Sequence, residues 1–152
     1  VGLIHKSMKE KFIKLYMDWA KRVSELSHAK RLQVGAVIVK DDSVISYGYN
    51  GTPAGWDNNC EDEVRYPNEE GTALKTKPEV LHAESNAIAK LARGNASGLG
   101  ADIFITHSPC LECAKLIYQS GIKTIYYNET YRDDKGIAFL EKSGVKVIKY
   151  DV

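Results

Sequence analysis

The sequence predicts an α/β fold of three layers, α/β/α, built on a mixed five-stranded sheet. Three observations lead there. An amphipathic stretch at the N-terminal end shows helical periodicity, two β-rich runs follow it across a two-residue turn, and strands then alternate with helices to the last residues. Alternation implies parallel strands joined by crossover helices, placed after an antiparallel hairpin, in the order α-β-β-α-β-α-β-α-β.

Phe12, Leu15, Tyr16, Trp19, Val23 and Leu26 recur at helical spacing, so residues from about Lys9 to Ser27 read as the first helix. Val34 to Val39 is an unbroken apolar run with the length of a buried strand, Asp41-Asp42 is a tight turn, and Val44 to Tyr49 returns as the second strand. Asn50-Gly51-Thr52-Pro53 ends the hairpin, and an irregular insert at about 51–78 follows. Glu79 to Arg93 reads as helix, with Arg93 in its last turn and Gly94 beyond. Ala101 to Thr106 is a strand, and Pro109 opens a helix that stops at Gly121. Lys123 to Asn128 is a strand, Gly136 to Lys142 a short helix ending at Ser143-Gly144, and Val145 to Tyr150 the final strand.

At 152 residues, with no repeat, low-complexity tract or linker, the sequence reads as one domain, 1–152, burying about two-thirds of its unfolded surface. Its longest apolar run is too short to cross a bilayer, and Val1-Gly2-Leu3-Ile4-His5-Lys6 carries no apolar signal core, so no membrane association is expected. Three cysteines, two of them in Cys-x-x-Cys, fit a reducing compartment, and the expected location is cytoplasmic. A net charge of +1 argues against a large nucleic-acid footprint. Asp57, Glu61, Asp62, Glu63, Glu69 and Glu70 crowd the insert against a lone Arg65, an arrangement that repels a long polyanion. A few local cations still suffice for a small phosphorylated substrate.

The chemistry is carried by two separated segments, His82-Ala83-Glu84 and Pro109-Cys110-Leu111-Glu112-Cys113. This His-x-Glu and Pro-Cys-x-x-Cys order is the signature of zinc-dependent nucleobase deaminases. One histidine and two cysteines hold a zinc ion and leave its fourth position open, as catalytic zinc requires, and zinc brings the pKa of its water to about 7. Predicted helix starts at both segments favour the thiolates of Cys110 and Cys113. Glu84 is the candidate proton carrier. Because positions i and i+2 point apart along a regular helix, Glu84 faces the metal only if His-x-Glu lies at the first turn. The competing readings are a redox Cys-x-x-Cys or half of a structural zinc site. The redox version does not need an upstream His-x-Glu, and a structural site wants a fourth ligand, for which Cys60 and His107 are the only plausible suppliers.

Beyond this motif the sequence resembles the deoxycytidylate (dCMP) deaminases of the cytidine deaminase superfamily. Gln33 to Val39 is similar to that family's first strand, Gly48-Tyr49-Asn50-Gly51-Thr52-Pro53 to its Gly-Tyr-Asn-Gly segment, and Ser120 to Lys123 with Glu129-Thr130-Tyr131 to its fourth-strand region. The likeness runs from about Leu15 to Val147. It implies a cytidine deaminase-like fold, a single zinc-dependent deaminase domain, and hydrolysis of dCMP to dUMP and ammonia. It implies one catalytic zinc per chain on His82, Cys110 and Cys113, with Glu84 as the proton shuttle. Substrate contacts would come from Asn50 on the sugar, Tyr131 against the pyrimidine or closing the pocket, and Ala83 and Ser108. The resemblance further implies activation by dCTP and inhibition by dTTP through Gly48, Tyr49, Asn50 and Gly51 at a subunit interface, Arg93 as a coupling residue, and a hexamer. Lys30, Arg31 and Arg132 are candidates for the 5′-phosphate, against an ordinary solvated role.

Some members of the family carry a second, structural zinc in the insert. Here that stretch offers Cys60 and acids but no histidine before His82, so a second zinc is not expected and Cys60 reads as a free thiol. Gly48 and Gly51 also have a plainer reading as turn residues. Other functions stay in view: a zinc deaminase acting on adenosine in tRNA or on a free nucleoside, and a non-catalytic nucleotide-binding regulator. The near-neutral charge and the Asp151-Val152 end, without a basic helix, speak against the tRNA enzyme, and an intact Glu84 speaks against the regulator.

Overall fold

In order along the chain lie α1 (Glu10–Ser24), β1 (Gly35–Lys40), β2 (Ser43–Tyr49), β3 (Glu61–Val64), β4 (Ala73–Thr76), α2 (Ala83–Ala92), β5 (Asp102–His107), α3 (Leu111–Gln119), β6 (Thr124–Glu129), α4 (Lys135–Lys142) and β7 (Lys146–Lys149). The structure is a computed structural model that describes residues 8–151. The Val1 to Lys6 stretch read for a signal core, and Val152, lie outside the described residues.

Five strands form one mixed sheet in the order β2-β1-β5-β6-β7. β1 pairs antiparallel with both β2 and β5, while β5, β6 and β7 run parallel. Successive residues of a strand face opposite sides, and here both sides are apolar. Ala36, Ile38, Ile103, Ile105 and Ile125 pack with Ala83 and Ala87 of α2, Ala114 and Ile117 of α3 and Leu140 of α4. Val37, Val39, Phe104 and Tyr126 turn the other way, onto Tyr16, Met17, Ala20 and Val23 of α1. Phe104 is fully buried and stacks on Tyr126 with ring centroids 4.6 Å apart. Truncating it to alanine would cost about 3–5 kcal/mol. The predicted three-layer α/β architecture is the one observed, with one helix on one face and three on the other.

The hairpin turn at Asp41-Asp42 has φ of 50° and 60° at its two central residues, the positive pair that a two-residue type I′ turn requires. Three expectations are corrected. The insert is not wholly irregular: β3 and β4 form a separate two-stranded antiparallel hairpin, from Glu61 opposite Thr76 to Val64 opposite Ala73. The second helix begins at Ala83, not Glu79, because Leu81 exchanges backbone hydrogen bonds with Gly51 (2.7 and 3.1 Å) and holds the approach extended. Pro109 does not open the third helix: it lies two residues before Leu111, where that helix begins, and one before the N-cap Cys110.

Gly48 is likewise no turn residue. It is buried within β2, and a Cβ added there would strike the Ala83 carbonyl and lie 2.7 Å from Ala87 N. The absent side chain lets the start of α2 lie directly on the sheet. Ser46 Oγ donates to the Ala87 carbonyl at 2.6 Å, and Asn86 Nδ2 donates to the Tyr49 carbonyl at 3.1 Å, which fixes α2 on β2.

Candidate active site

Two helix N-termini meet beyond the carboxyl ends of the parallel strands, where open α/β sheets form their crevices. His82 is the N-cap of α2 in extended conformation (φ −81°, ψ 151°), and Glu84 is the second residue of that helix. His-x-Glu thus occupies the first turn, the placement that lets both side chains address one point. Cys110 caps α3, and its sulfur accepts the Cys113 N–H at 3.5 Å.

The donor atoms of His82, Cys110 and Cys113 lie within 4.8 Å of one another, the one such cluster of three among the described residues. His82 Nδ1 is 3.6 Å from Cys110 Sγ and 3.3 Å from Cys113 Sγ. A tetrahedral zinc with ordinary bond lengths sets these S···N separations at about 3.6 Å. The donors therefore form a site for one zinc ion with a fourth position left over. Cys113 is buried, Cys110 half-buried and His82 exposed, so the site opens to one side.

Charge in the cluster follows from these contacts. The hydrogen bonds from Cys113 and then His82 push the Cys110 thiol down to about 4. Cys113 moves the opposite way, raised first by its hydrogen bond with Cys110 and then by burial. His82 is raised by its bond to Cys110. Without a cation the cluster holds a Cys110 thiolate beside a protonated Cys113, and a metal must displace that proton. Glu84 is 5% exposed, and burial pushes its carboxyl up to about 7. A carboxyl balanced near neutrality accepts and returns protons with little driving force lost either way.

A cavity of about 370 Å³ opens onto His82, Glu84 and Cys110. Asn50, Ala83, Ser108, Tyr131, Arg31 and Arg132 also line it; Lys30, Gly48, Tyr49, Gly51 and Arg93 do not. Asn50 Oδ1 accepts the Val34 N–H at 2.8 Å and its Nδ2 donates to the Leu32 carbonyl at 2.7 Å, which locks the amide and leaves one donor and one acceptor position spare. Ser108 is buried, and its hydroxyl accepts the Tyr131 N–H at 2.7 Å, holding the loop after β6 against the metal loop. The Arg132 guanidinium lies 5.2 Å from the centre of the Tyr131 ring.

His107 and Cys60, the two conceivable fourth ligands, both sit in the cavity wall but outside the metal cluster. His107 Nδ1 is 2.9 Å from Thr106 Oγ1 and its Nε2 3.2 Å from Glu129, and burial lowers its pKa, so the neutral ring is engaged on both nitrogens. The Cys60 thiol is buried, raised by that burial, and donates to the Asn58 carbonyl at 3.5 Å. Sequence reasoning overlooked Glu61 and Thr76 as wall residues. In sequence Glu61 is one of the acids that crowd the insert, yet it is 4% exposed and accepts the Lys30 and Arg31 backbone N–H groups. The signal for this is weak: an acid directly after a cysteine that is itself buried.

The pattern of the cytidine and deoxycytidylate deaminase zinc-binding region matches residues 7–129. Deoxycytidylate deaminase of enterobacteria phage T4 is 38% identical over 149 residues, covering 74% of this chain and 75% of the phage protein. ComE operon protein 2 of Bacillus subtilis is 41% identical over 80% of this chain, a match that spans only 61% of the Bacillus protein. Among solved structures, dCMP deaminase of cyanophage S-TIM5, crystallised with dCMP and dUMP, superposes with a TM-score of 0.86 at 43% identity, over 95% of this chain and 100% of that one.

Proposed function

The chain belongs to the cytidine and deoxycytidylate deaminase family, and from that premise we propose that it converts dCMP to dUMP and ammonia as a one-domain, zinc-dependent enzyme. The observation that carries the proposal is the meeting, in one cavity, of a three-donor zinc site, the buried Glu84 carboxyl and two arginines. The relatives named as deoxycytidylate deaminases, one of them crystallised with dCMP and dUMP, support the choice of substrate.

His82, Cys110 and Cys113 would hold one zinc ion, which when bound would supply a nucleophile at neutral pH by bringing the pKa of water to about 7. Glu84 is placed to take a proton from the attacking water and hand it to N3 of the cytosine ring as the water oxygen bonds to C4. It then takes the second proton and delivers it to the exocyclic amine, whose bond to C4 breaks, leaving a C4 carbonyl and ammonia. Asn50 contacts the sugar through the donor and acceptor it has spare, and Tyr131 closes over the pyrimidine. Ala83 and Ser108 complete the wall, Ser108 by holding the Tyr131 loop. Arg31 and Arg132 reach the 5′-phosphate; Lys30, outside the cavity, is set aside.

Regulation by dCTP and dTTP in a homohexamer belongs to the same reading. Its support is the course of α2, which carries His82 and Glu84 at one end and Arg93 at the other and is packed against Gly48. Gly48, buried beneath α2, would serve only as the contact, and an effector held at Tyr49 to Gly51 and Arg93 would act on the catalytic end through one rigid helix. Cytoplasmic residence fits three free cysteines. A panel assay for ammonia release from dCMP, CMP, dCTP, deoxycytidine and a tRNA anticodon stem tests the proposal. The expected result is a clear preference for dCMP, and a preference for the stem or the free nucleoside would overturn it.

A further inference from the structure

The β3–β4 hairpin touches the loop between α1 and β1 at two places that the reaction itself does not use. Glu61, at the start of β3, directs Oε2 at the backbone N–H groups of Lys30 (2.9 Å) and Arg31 (3.1 Å), with Oε1 also 3.2 Å from the Lys30 N–H. Thr76, at the end of β4, accepts from Arg31 Nη1 at 3.0 Å. Glu61 and Thr76 face each other in the hairpin register, so one pair of residues grips Arg31 by both its backbone and its guanidinium. All three line the cavity.

We propose that Glu61 and Thr76 are positioning residues that hold Arg31 in place for the 5′-phosphate of a nucleoside monophosphate, which makes the insert hairpin a specificity element. This rests on the reading of Arg31 as a phosphate contact. A free arginine loses rotamer freedom when it grips an anion, and anchoring it beforehand removes part of that cost. One N–H of the guanidinium is used on Thr76, and the rest of the planar fork is left for phosphate oxygens. Glu61 cannot serve the phosphate itself, since two anions repel. Its value lies in accepting two backbone N–H groups, a task that a neutral acceptor of the same shape also performs.

Steady-state kinetics of the zinc-loaded chain test this with dCMP and with deoxycytidine, its phosphate-free counterpart. Where deoxycytidine turns over too slowly, competitive inhibition by dUMP against deoxyuridine gives the same comparison. Arg31→Ala should raise KM for dCMP at least about ten-fold, equivalent to about 1.4 kcal/mol, and leave the phosphate-free ligand unaffected. Glu61→Ala and Thr76→Val should shift KM for dCMP in the same selective way by about three- to ten-fold with kcat and zinc content retained. Glu61→Gln, whose amide oxygen takes the Oε2 place, should restore most of the loss. Equal effects of Arg31→Ala on both ligands would remove Arg31 from phosphate binding. A selective Arg31→Ala with unselective or silent Glu61→Ala and Thr76→Val would leave that reading standing and overturn the positioning role. If Glu61→Ala does not fold, Thr76→Val decides alone.

Discussion

Gly48→Ala tests how Glu84, the proposed proton carrier, is held in place. The added Cβ would lie 2.7 Å from Ala87 N and 3.0 Å from Asn86 Cβ, and closer still to the Ala83 carbonyl. Ordinary contact begins at 3.4 Å, so α2 must retreat by about 0.7 Å at Ala87 and further at its first turn. That turn carries His82 and Glu84. Overpacking of this kind costs about 1–3 kcal/mol, which in a chain of this size lowers the melting temperature by roughly 2–12 °C. Displacing a catalytic group by an ångström costs on the order of 10²-fold in rate. Thermal melting, zinc content and kcat/KM for dCMP, measured without effectors, should therefore show a modestly destabilised protein with activity reduced far more than stability. A variant that melts and turns over like the parent would refute the argument that β2 fixes the start of α2.

Metal-free protein should take up about one zinc per chain and release a proton as Cys113 ionises, so calorimetric enthalpies should vary with the ionisation enthalpy of the buffer; two zinc ions per chain, or no buffer dependence, would contradict the cluster described. Uptake should weaken as pH falls, because protons on His82 and Cys113 compete with the metal. Burial raises Glu84 in the folded metal-free protein from its ordinary 4.5 to about 7, so the folded state binds this proton more tightly than the unfolded chain. The contribution to stability is therefore full below about pH 4 and is lost as pH rises towards 7. Melting of metal-free Glu84→Gln from pH 5 to 8 should lack this decline relative to the parent, and parallel curves would place the ionisation elsewhere. dCTP should raise the rate at low dCMP and dTTP oppose it; a flat response to both would sever regulation from the Gly48 to Gly51 segment.

Local signals made most of the layout legible. The α1 stripe, the Asp41-Asp42 turn and the β-α alternation each reflect backbone periodicity or turn chemistry that neighbouring residues encode. The zinc ligands were legible because few other arrangements need His-x-Glu and Cys-x-x-Cys together. What escaped was set by distant partners. Glu79 to Leu81 has helical composition, but Glu79 sits in a turn closed by the Val80 N–H on the Lys77 carbonyl, and the Gly51 bridge holds Leu81 extended. The β3 strand, Glu61-Asp62-Glu63-Val64, is mostly acidic and shows no apolar alternation, so nothing local marks it as a strand. The burial of Glu61 depends on two backbone N–H groups about thirty residues away. Gly48 resembles a turn glycine until the helix that lies on it is in view.

Proton transfer by Glu84 is the step on which the account depends most. Zinc-loaded Glu84→Gln should retain about one zinc per chain, since the carboxylate is not one of the three donors. Its dCMP turnover should fall by about 10²–10⁴-fold, the usual contribution of a positioned acid–base group. Zinc-replete Glu84→Gln that still deaminates dCMP near the parent rate would contradict the account at its centre.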